Sequence, residues 1–469
     1  VSNYGAFLAD KLAHRATEGL TVDRAPFDSR YSLMPHQGDL AAWALRRGRA
    51  AIFADTGLGK TRMQLAWAHT VAMRTEGPAL ILCPLAVAEQ TVREGAAIGV
   101  PVTHCHDDSD VRDGLNVINY DRLHLIDPAR FEGVVLDESS IIKHHTSKTL
   151  AALMDAFRET QFKLCATATP APNDWMELGT HAQFLGLRSQ AEMLAEYFVH
   201  DGGETQVWRL KGHARHEFWR WVASWGAMVR SPADLGHDAS AYDLPPLRVH
   251  EHIVGCAPIN GQLFAGGVMT LTERRDARRN SMAERVAECA ALVNATPGPW
   301  VVWCELNAEG DGLESAIPGA VQVAGADSAE DKERALKDFA EGRARVLISK
   351  PSICGWGLNW QHCAHIAFVG VSDSWEAYYQ AVRRCWRFGQ TQSVDVHLFV
   401  SEAEATVLAN LKRKESDAKA MADALSAETL AAVRDSVLGS RRESNEYTPG
   451  KAMRVPGFLQ TTRDQTCSA

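Results

Sequence analysis

Short apolar runs recur along the chain, each followed by a polar or Gly/Pro-containing turn, and stretches of helical spacing fill the gaps between them. Runs at 50–54, 79–83, 117–119, 133–136 and 162–166 have the continuous apolar character of strands buried on both faces. A second series follows at 300–304, 320–323, 346–349, 365–369 and 394–400. Helical periodicity covers 38–49, 329–341, 376–387 and 402–437, and residues 1–50 read as mostly helical. Alternating strands and helices predict an α/β fold with two open, mostly parallel sheets, each with helices on both faces. Residues 175–230 break the alternation and read as a helical insert, irregular around 201–204. Leu244-Pro245-Pro246-Leu247 marks a domain edge. The expected division is a first domain over 1–230, a linker over 231–250, a second domain over 251–437 and a partly disordered polar tail over 438–469.

Bulk properties narrow the class. A chain of 469 residues needs more than one core. Its 46% hydrophobic and 23% charged residues are the balance of a soluble globular protein. Apolar stretches stop well short of a membrane-spanning length, the start of the chain does not look like a secretory signal, and no membrane partner is expected. Ten cysteines without a C-x-x-C pair read as reduced thiols of a cytoplasmic protein. His104-Cys105-His106 and the group Cys354, His362, Cys363, His365 lack zinc-ligand spacing. The net charge of −9 argues against a broad phosphate-binding face and leaves room for a basic groove between domains.

The chemistry-bearing segments lie at the ends of the apolar runs. Residues 54–61 read Ala-Asp-Thr-Gly-Leu-Gly-Lys-Thr between a strand and a helix. Glycines let backbone N–H groups turn inward on a phosphate at a helix N-terminus. Thr56, Gly57, Leu58 and Gly59 would line that cradle, Lys60 would reach the β- and γ-phosphates, and Thr61 would hold Mg²⁺. The first position is Ala54 instead of Gly; the rival reading is a Gly-rich turn that binds nothing. Asp137 and Glu138 follow the run at 133–136, suited to holding Mg²⁺ and activating water respectively. Thr167 and Thr169 follow another run and can sense the γ-phosphate through the two carboxylates, or simply cap the strand. In the second half, Arg384 and Arg387 are expected to share a helix face and to clamp a transferring phosphoryl group. A solvated basic face is the bland alternative.

The order Gln37, ADTGLGKT (54–61), ILCP (81–84), INY (118–120), LDES (136–139), TATP (167–170), GWGLNWQ (355–361) and QAVRRCWRFGQ (380–390) resembles the superfamily-two helicases. It is most similar to their SWI/SNF-type DNA translocase branch, in the compact form found in bacteriophages and prophages. The resemblance covers about residues 31–400. It implies two RecA-like lobes with ATP and Mg²⁺ in the cleft between them and nucleic acid, double-stranded DNA above all, across both. Phage or host replication and recombination proteins are implied as further partners, in the host cytoplasm. Matched by motif, Gln37 would read adenine, and Lys60 and Thr61 would hold phosphates and Mg²⁺. Asp137 and Glu138 would hold Mg²⁺ and activate water. Gln380, Arg384 and Arg387 would complete the catalytic site from the second lobe. Gly355, Gly357 and Asn359 would couple the nucleotide state to the nucleic-acid groove, with Thr167 and Thr169 serving the same coupling. The chain departs from the family at D-E-S-S and at Arg383, where related helicases often have a small residue.

Trp208, Trp219, Trp221 and Trp225 interleave with Arg209, Lys211, Arg215 and Arg220. Such a mixture can stack on bases and pair with phosphates. The simpler reading packs the tryptophans on the first lobe. The function expected is an ATP-dependent double-stranded DNA translocase or helicase. An RNA helicase of the same superfamily and an ATP-gated DNA clamp without strand separation remain the alternatives.

Overall fold

A computed structural model describes residues 19–84, 87–143, 146–171, 174–200, 208–255, 278–354, 359–372, 374–401 and 405–438. Gly355 and Gly357, the irregular part of the insert at 201–204 and the tail from 439 lie outside them.

The first lobe opens with helices α1 (Arg24–Tyr31) and α2 (Pro35–Arg47), then β1 (Arg49–Ala54), α3 (Lys60–Thr75), β2 (Ala79–Cys83), α4 (Ala88–Ala97), β3 (Val102–His104) and β4 (Leu115–Asn119). It continues with β5 (Gly133–Asp137), α5 (Lys148–Ala156), β6 (Phe162–Ala166), α6 (Leu178–Phe184) and α7 (Gln190–Tyr197). A hairpin of β7 (Phe198–His200) and β8 (Trp208–Leu210) leads to α8 (Arg215–Trp225) and β9 (Gly226–Val229). The second lobe runs β10 (Leu247–Val254), α9 (Met282–Ala295), β11 (Trp300–Cys304), α10 (Asn307–Ala316), β12 (Ala320–Val323), α11 (Ala329–Ala340) and β13 (Val346–Ser349). It ends with α12 (Pro351–Cys354), β14 (His365–Val369), α13 (Trp375–Val382), β15 (Val394–Ser401) and α14 (Ala405–Leu438).

Each lobe is built on one parallel sheet. The first has the order β3-β4-β2-β5-β6-β1-β9, the second β10-β15-β14-β11-β13-β12. Side chains alternate between two cores, as the pleat requires. Ala50, Ile52 and Ala54 face the core under α2 and α3, while Ala51 and Phe53 face the one under α5, α6 and α8. In the second sheet Val301, Trp303 and Leu347 join one core, and Trp300, Val302 and Ile348 the other. The expected architecture of two parallel α/β lobes with helices on both faces, a helical insert and a C-terminal helix is therefore present.

The differences have physical causes. β9 was not expected as a strand: Gly-Ala-Met-Val continues a helical pattern and becomes a strand because β1 offers it an edge. Leu247 to Val254 alternates polar and apolar residues and pairs with β15, so the second sheet begins inside the segment expected to be linker. The helix expected over 376–387 stops at Val382. Beyond it the Arg384 carbonyl accepts the Trp360 N–H at 2.8 Å and the Gln390 amide holds the Cys385 carbonyl at 3.3 Å. These tertiary bonds replace the next helical turn, so Arg384 and Arg387 sit in a turn and do not share a helix face.

Helix α14 spans the molecule. Its 34 residues extend about 51 Å. Leu408 near its start packs in a second-lobe core, whereas Val433 and Val437 near its end are buried in a first-lobe core. There Trp43 Nε1 donates to Ser436 Oγ at 2.9 Å and Arg46 Nη2 to the Val437 carbonyl at 2.9 Å. No helix among the described residues is long and apolar enough to cross a membrane.

Candidate nucleotide site between the lobes

The strand ends of the first sheet converge on one place. β1 delivers the loop 55–59, which turns into α3 through Gly57 and Gly59, both with positive φ (94° and 81°). A Cβ on Gly59 would lie 2.2 Å from Gln37 Nε2, so a larger residue would displace that amide as well as strain the positive φ. Gln37 braces the loop: its Nε2 donates to the Leu58 carbonyl at 3.1 Å and its Oε1 accepts the Met34 N–H at 3.0 Å. Ala54 ends β1 fully buried, and its carbonyl accepts Lys60 Nζ at 2.9 Å. Burial holds the Lys60 ammonium below its usual pKa, against the pull of Glu138, Asp55 and Asp137. Thr61 follows in the first turn of α3, half-buried.

Asp137 ends β5, and Gln64 of α3 donates to its Oδ1 at 2.6 Å. Tyr120 donates to its backbone carbonyl at 2.8 Å. Burial, and next to it the charge of Glu138, push the Asp137 carboxyl above the usual carboxylate range. Glu138 adopts φ +52°, an uncommon conformation for a side-chain-bearing residue that turns the chain sharply after the strand. Its Oε2 accepts from Thr167 Oγ1 at 3.4 Å, and Thr167 in turn accepts the Thr169 N–H at 3.2 Å. Ser139 contacts His181 Nε2 at 3.2 Å, in a pocket whose burial lowers that imidazole's pKa to about 4.

The second lobe closes the site with α13 and the turn after it. Gln380 is 1% exposed and Arg384 2%. Arg384 Nη2 donates to Gln380 Oε1 at 2.9 Å, and Gln380 Nε2 is enclosed without a partner among the described residues. Burial lowers the Arg384 pKa while Glu138 and Asp137 of the first lobe pull it up. Arg387 is depressed to about 10 by burial and by the neighbouring Arg384. Further contacts cross the cleft. Glu376 pairs with Lys143 and accepts from Thr169 Oγ1 at 3.4 Å. Arg383 and Tyr379 both bond Asp55 of the loop, at 2.7 and 2.8 Å. Asn359 of the second lobe has its Oδ1 enclosed without a partner among the described residues.

These residues fit Mg²⁺ and a nucleoside triphosphate. Two adjacent carboxylates, Asp137 buried with a raised pKa and Glu138 half-buried, form a place where a divalent cation relieves repulsion. Glycine-lined backbone, Lys60 and two enclosed guanidiniums suit phosphate. Among the described residues no group of three or more His, Cys, Asp or Glu could hold a metal ion, so protein ligands would supply only part of a Mg²⁺ shell.

Several participants were given no role by sequence. Asp55 and Arg383 lie inside the recognised motifs, Arg383 standing out only as a departure from the family, and Tyr120 lies in the INY motif. Gln64, Lys143, His181, Glu376 and Tyr379 carry no signal that a single chain reveals. Trp219 and Trp225 are buried and Trp208 and Trp221 half-buried, which is the packing role; Arg209, Arg215 and Arg220 are exposed.

Residues 308–389 match the helicase conserved C-terminal domain. The chain is 30% identical over 172 residues to a SWI/SNF-related matrix-associated actin-dependent regulator of chromatin subfamily A-like protein 1 from Xenopus tropicalis. It is 24% identical over 163 residues to the DEAD-box ATP-dependent RNA helicase 35A of Oryza sativa subsp. japonica. Each match covers 34% of this chain, but only 18% of the frog protein and 25% of the rice protein. The solved Sulfolobus solfataricus SWI2/SNF2 ATPase core in complex with dsDNA aligns over 86% of this chain and 96% of that one, with TM-score 0.40 and 17% identity.

Proposed function

We propose that the chain is an ATP-hydrolysing nucleic-acid motor of the superfamily-two, SWI/SNF-like kind, and that it translocates on double-stranded DNA. The observation that carries this reading is that α13 and the turn after it, which bear Gln380, Arg384 and Arg387, meet the loop 55–59 of the other lobe, Arg383 and Tyr379 bonding Asp55 at 2.7 and 2.8 Å. A site completed only when two lobes meet converts nucleotide turnover into relative lobe motion.

Bound Mg²⁺ and ATP supply the cation and the phosphoryl group. Lys60 and the N–H groups of residues 56–61 would hold phosphate oxygens, and Thr61 and Asp137 would hold the cation. Glu138 accepts a proton from the attacking water, oriented by Thr167. Arg384 and Arg387 meet the charge that develops on the transferring group. Thr169 and Glu376 report the arrangement to the second lobe, and Asn359, with Gly355 and Gly357, carries it toward the nucleic acid. Cleft closure then shifts one lobe along the polymer. The frog relative's name supports the SWI/SNF branch; the rice relative's name favours RNA as the second reading.

ATP hydrolysis measured with duplex DNA, single-stranded RNA or no polymer tests the proposal. Duplex DNA is expected to stimulate, and the stimulation to fall steeply with salt. Absence of stimulation by any nucleic acid overturns the motor reading; preference for RNA moves the chain to the second reading. Lys60→Ala and Glu138→Gln are each expected to abolish turnover, with Glu138→Gln retaining nucleotide binding.

A further inference from the structure

The cleft holds a second set of contacts that the catalytic reading does not use. Arg383 Nη2 donates to Asp55 Oδ2 at 2.7 Å, Tyr379 OH donates to Asp55 Oδ1 at 2.8 Å, and Arg383 Nε donates to Tyr379 OH at 3.0 Å. The third acceptor position of Asp55 takes the Thr56 N–H at 2.6 Å. The Arg383 guanidinium lies against the rings of Tyr379 and Trp386, 5.3 and 4.9 Å from their centroids. Its side chain is 7% exposed and that of Asp55 27%. Burial alone would raise the Asp55 carboxyl, but Arg383, Tyr379 and the Thr56 N–H outweigh it and leave its pKa below the ordinary value.

The same turn covers the loop. A Cβ on Gly57 would lie 3.1 Å from the Phe388 nitrogen, and the Phe388 ring stands 4.6 Å from that of Tyr242. The cavity bounded by Asp55, Leu58, Tyr242, Arg383 and Phe388 measures about 80 Å³. The turn after α13 therefore lies directly against the loop at Asp55 and Gly57.

We propose that Arg383 and Tyr379 gate nucleotide at the phosphate loop: by gripping Asp55 they hold the second lobe over it, and the grip parts before a nucleoside triphosphate enters or a diphosphate leaves. This rests on residues 54–61 being the ATP site. Asp55 offers Arg383 an anion belonging to the loop itself. Once the grip has parted, phosphates bring several negative charges to the same place, so the freed guanidinium finds a second anionic partner. Arg383 fits this exchange because its planar fork binds carboxylate and phosphate alike. The device is separate from Gln380 and Arg384, which face each other on the neighbouring side of the helix end.

The test is stopped-flow association of ATP carrying an N-methylanthraniloyl group on its ribose, with full-length protein and Mg²⁺. Arg383→Gln is expected to raise the association rate constant about tenfold, the scale of one charge-assisted hydrogen bond. Tyr379→Phe, which removes only a hydroxyl, is expected to raise it about threefold. Arg383→Lys keeps the charge and is expected to stay nearer the original rate than Arg383→Gln. A purely structural role would lower the unfolding temperature without speeding entry. Unchanged entry rates in both Arg383→Gln and Tyr379→Phe overturn the gate while leaving the ATP site intact. No binding by the original protein or any variant overturns the ATP reading and the gate with it.

Discussion

The first lobe presents its share of the site on strand ends, and the second presents its share on a short helix and the turn beyond it. Asp137 and Thr167 follow directly from parallel strands whose neighbours fix them, and the phosphate loop leaves β1 the same way. Arg384 and Arg387 owe their positions to bonds between the turn and distant segments, such as Trp360 to Arg384. The first lobe's groups are thus fixed by the sheet; the second lobe's are fixed by bonds between the turn and other segments of the same lobe. This division suits a machine in which one half holds the nucleotide and the other half responds to it.

The comparison can be broken at three points, in order of expected effect. If the second lobe completes the chemistry, Arg384→Gln lowers kcat about a thousandfold while nucleotide affinity changes only a few-fold. Parallel loss of affinity and rate in hydrolysis and binding assays would make Arg384 a holding group like Lys60. Next, the second lobe depends on a fully buried ion pair, Arg285 to Glu309 at 2.8 Å, which has no counterpart in the first lobe's core among the described residues. Arg285→Ala is expected to cost about 3–5 kcal/mol, seen in denaturant unfolding as earlier loss of the signals of Trp300 and Trp303. Unfolding at the original midpoint would remove this contrast. The smallest effect concerns acid. His181, buried beside Ser139, has a folded pKa of about 4 against the ordinary 6.5. Between those values the unfolded chain binds a proton that the folded chain refuses, so stability is full above about pH 6.5 and falls toward pH 4. The slope is at most about 1.4 kcal/mol per pH unit. In thermal unfolding from pH 7 to pH 5, His181→Asn is expected to flatten that decline, and an unchanged slope would assign it to other groups.

The same division explains what could be read from the sequence. The five inner strands of the first sheet were legible because burial on both faces makes them continuous apolar runs, and the turn at 54–61 because glycine is needed where φ is positive; the three-residue edge strand β3 was not. The edge strands β9 and β10 were not: one is too small in its side chains and the other, with Val249 and Ile253 exposed, too mixed to carry the apolar signal. The end of α13 was misjudged because its residues favour helix and only the contacts to Trp360 and Gln390 stop it. The reach of α14 to the first lobe is likewise tertiary; Val433 and Val437 look like any helical apolar pair. Arg383 was visible as a departure from the family, and the structure gives that departure a partner in Asp55.

The central claim is that one nucleotide site is built from both lobes of one chain, and mixing two inactive variants tests it most directly. Lys60→Ala damages the first lobe's share and Arg384→Gln the second's. Each alone is expected to hydrolyse ATP at a small fraction of the original rate, and their mixture with duplex DNA no faster than the sum of the two. Hydrolysis restored on mixing would mean that the arginine reaches the phosphate loop of a different copy, and would contradict a site closed within the chain.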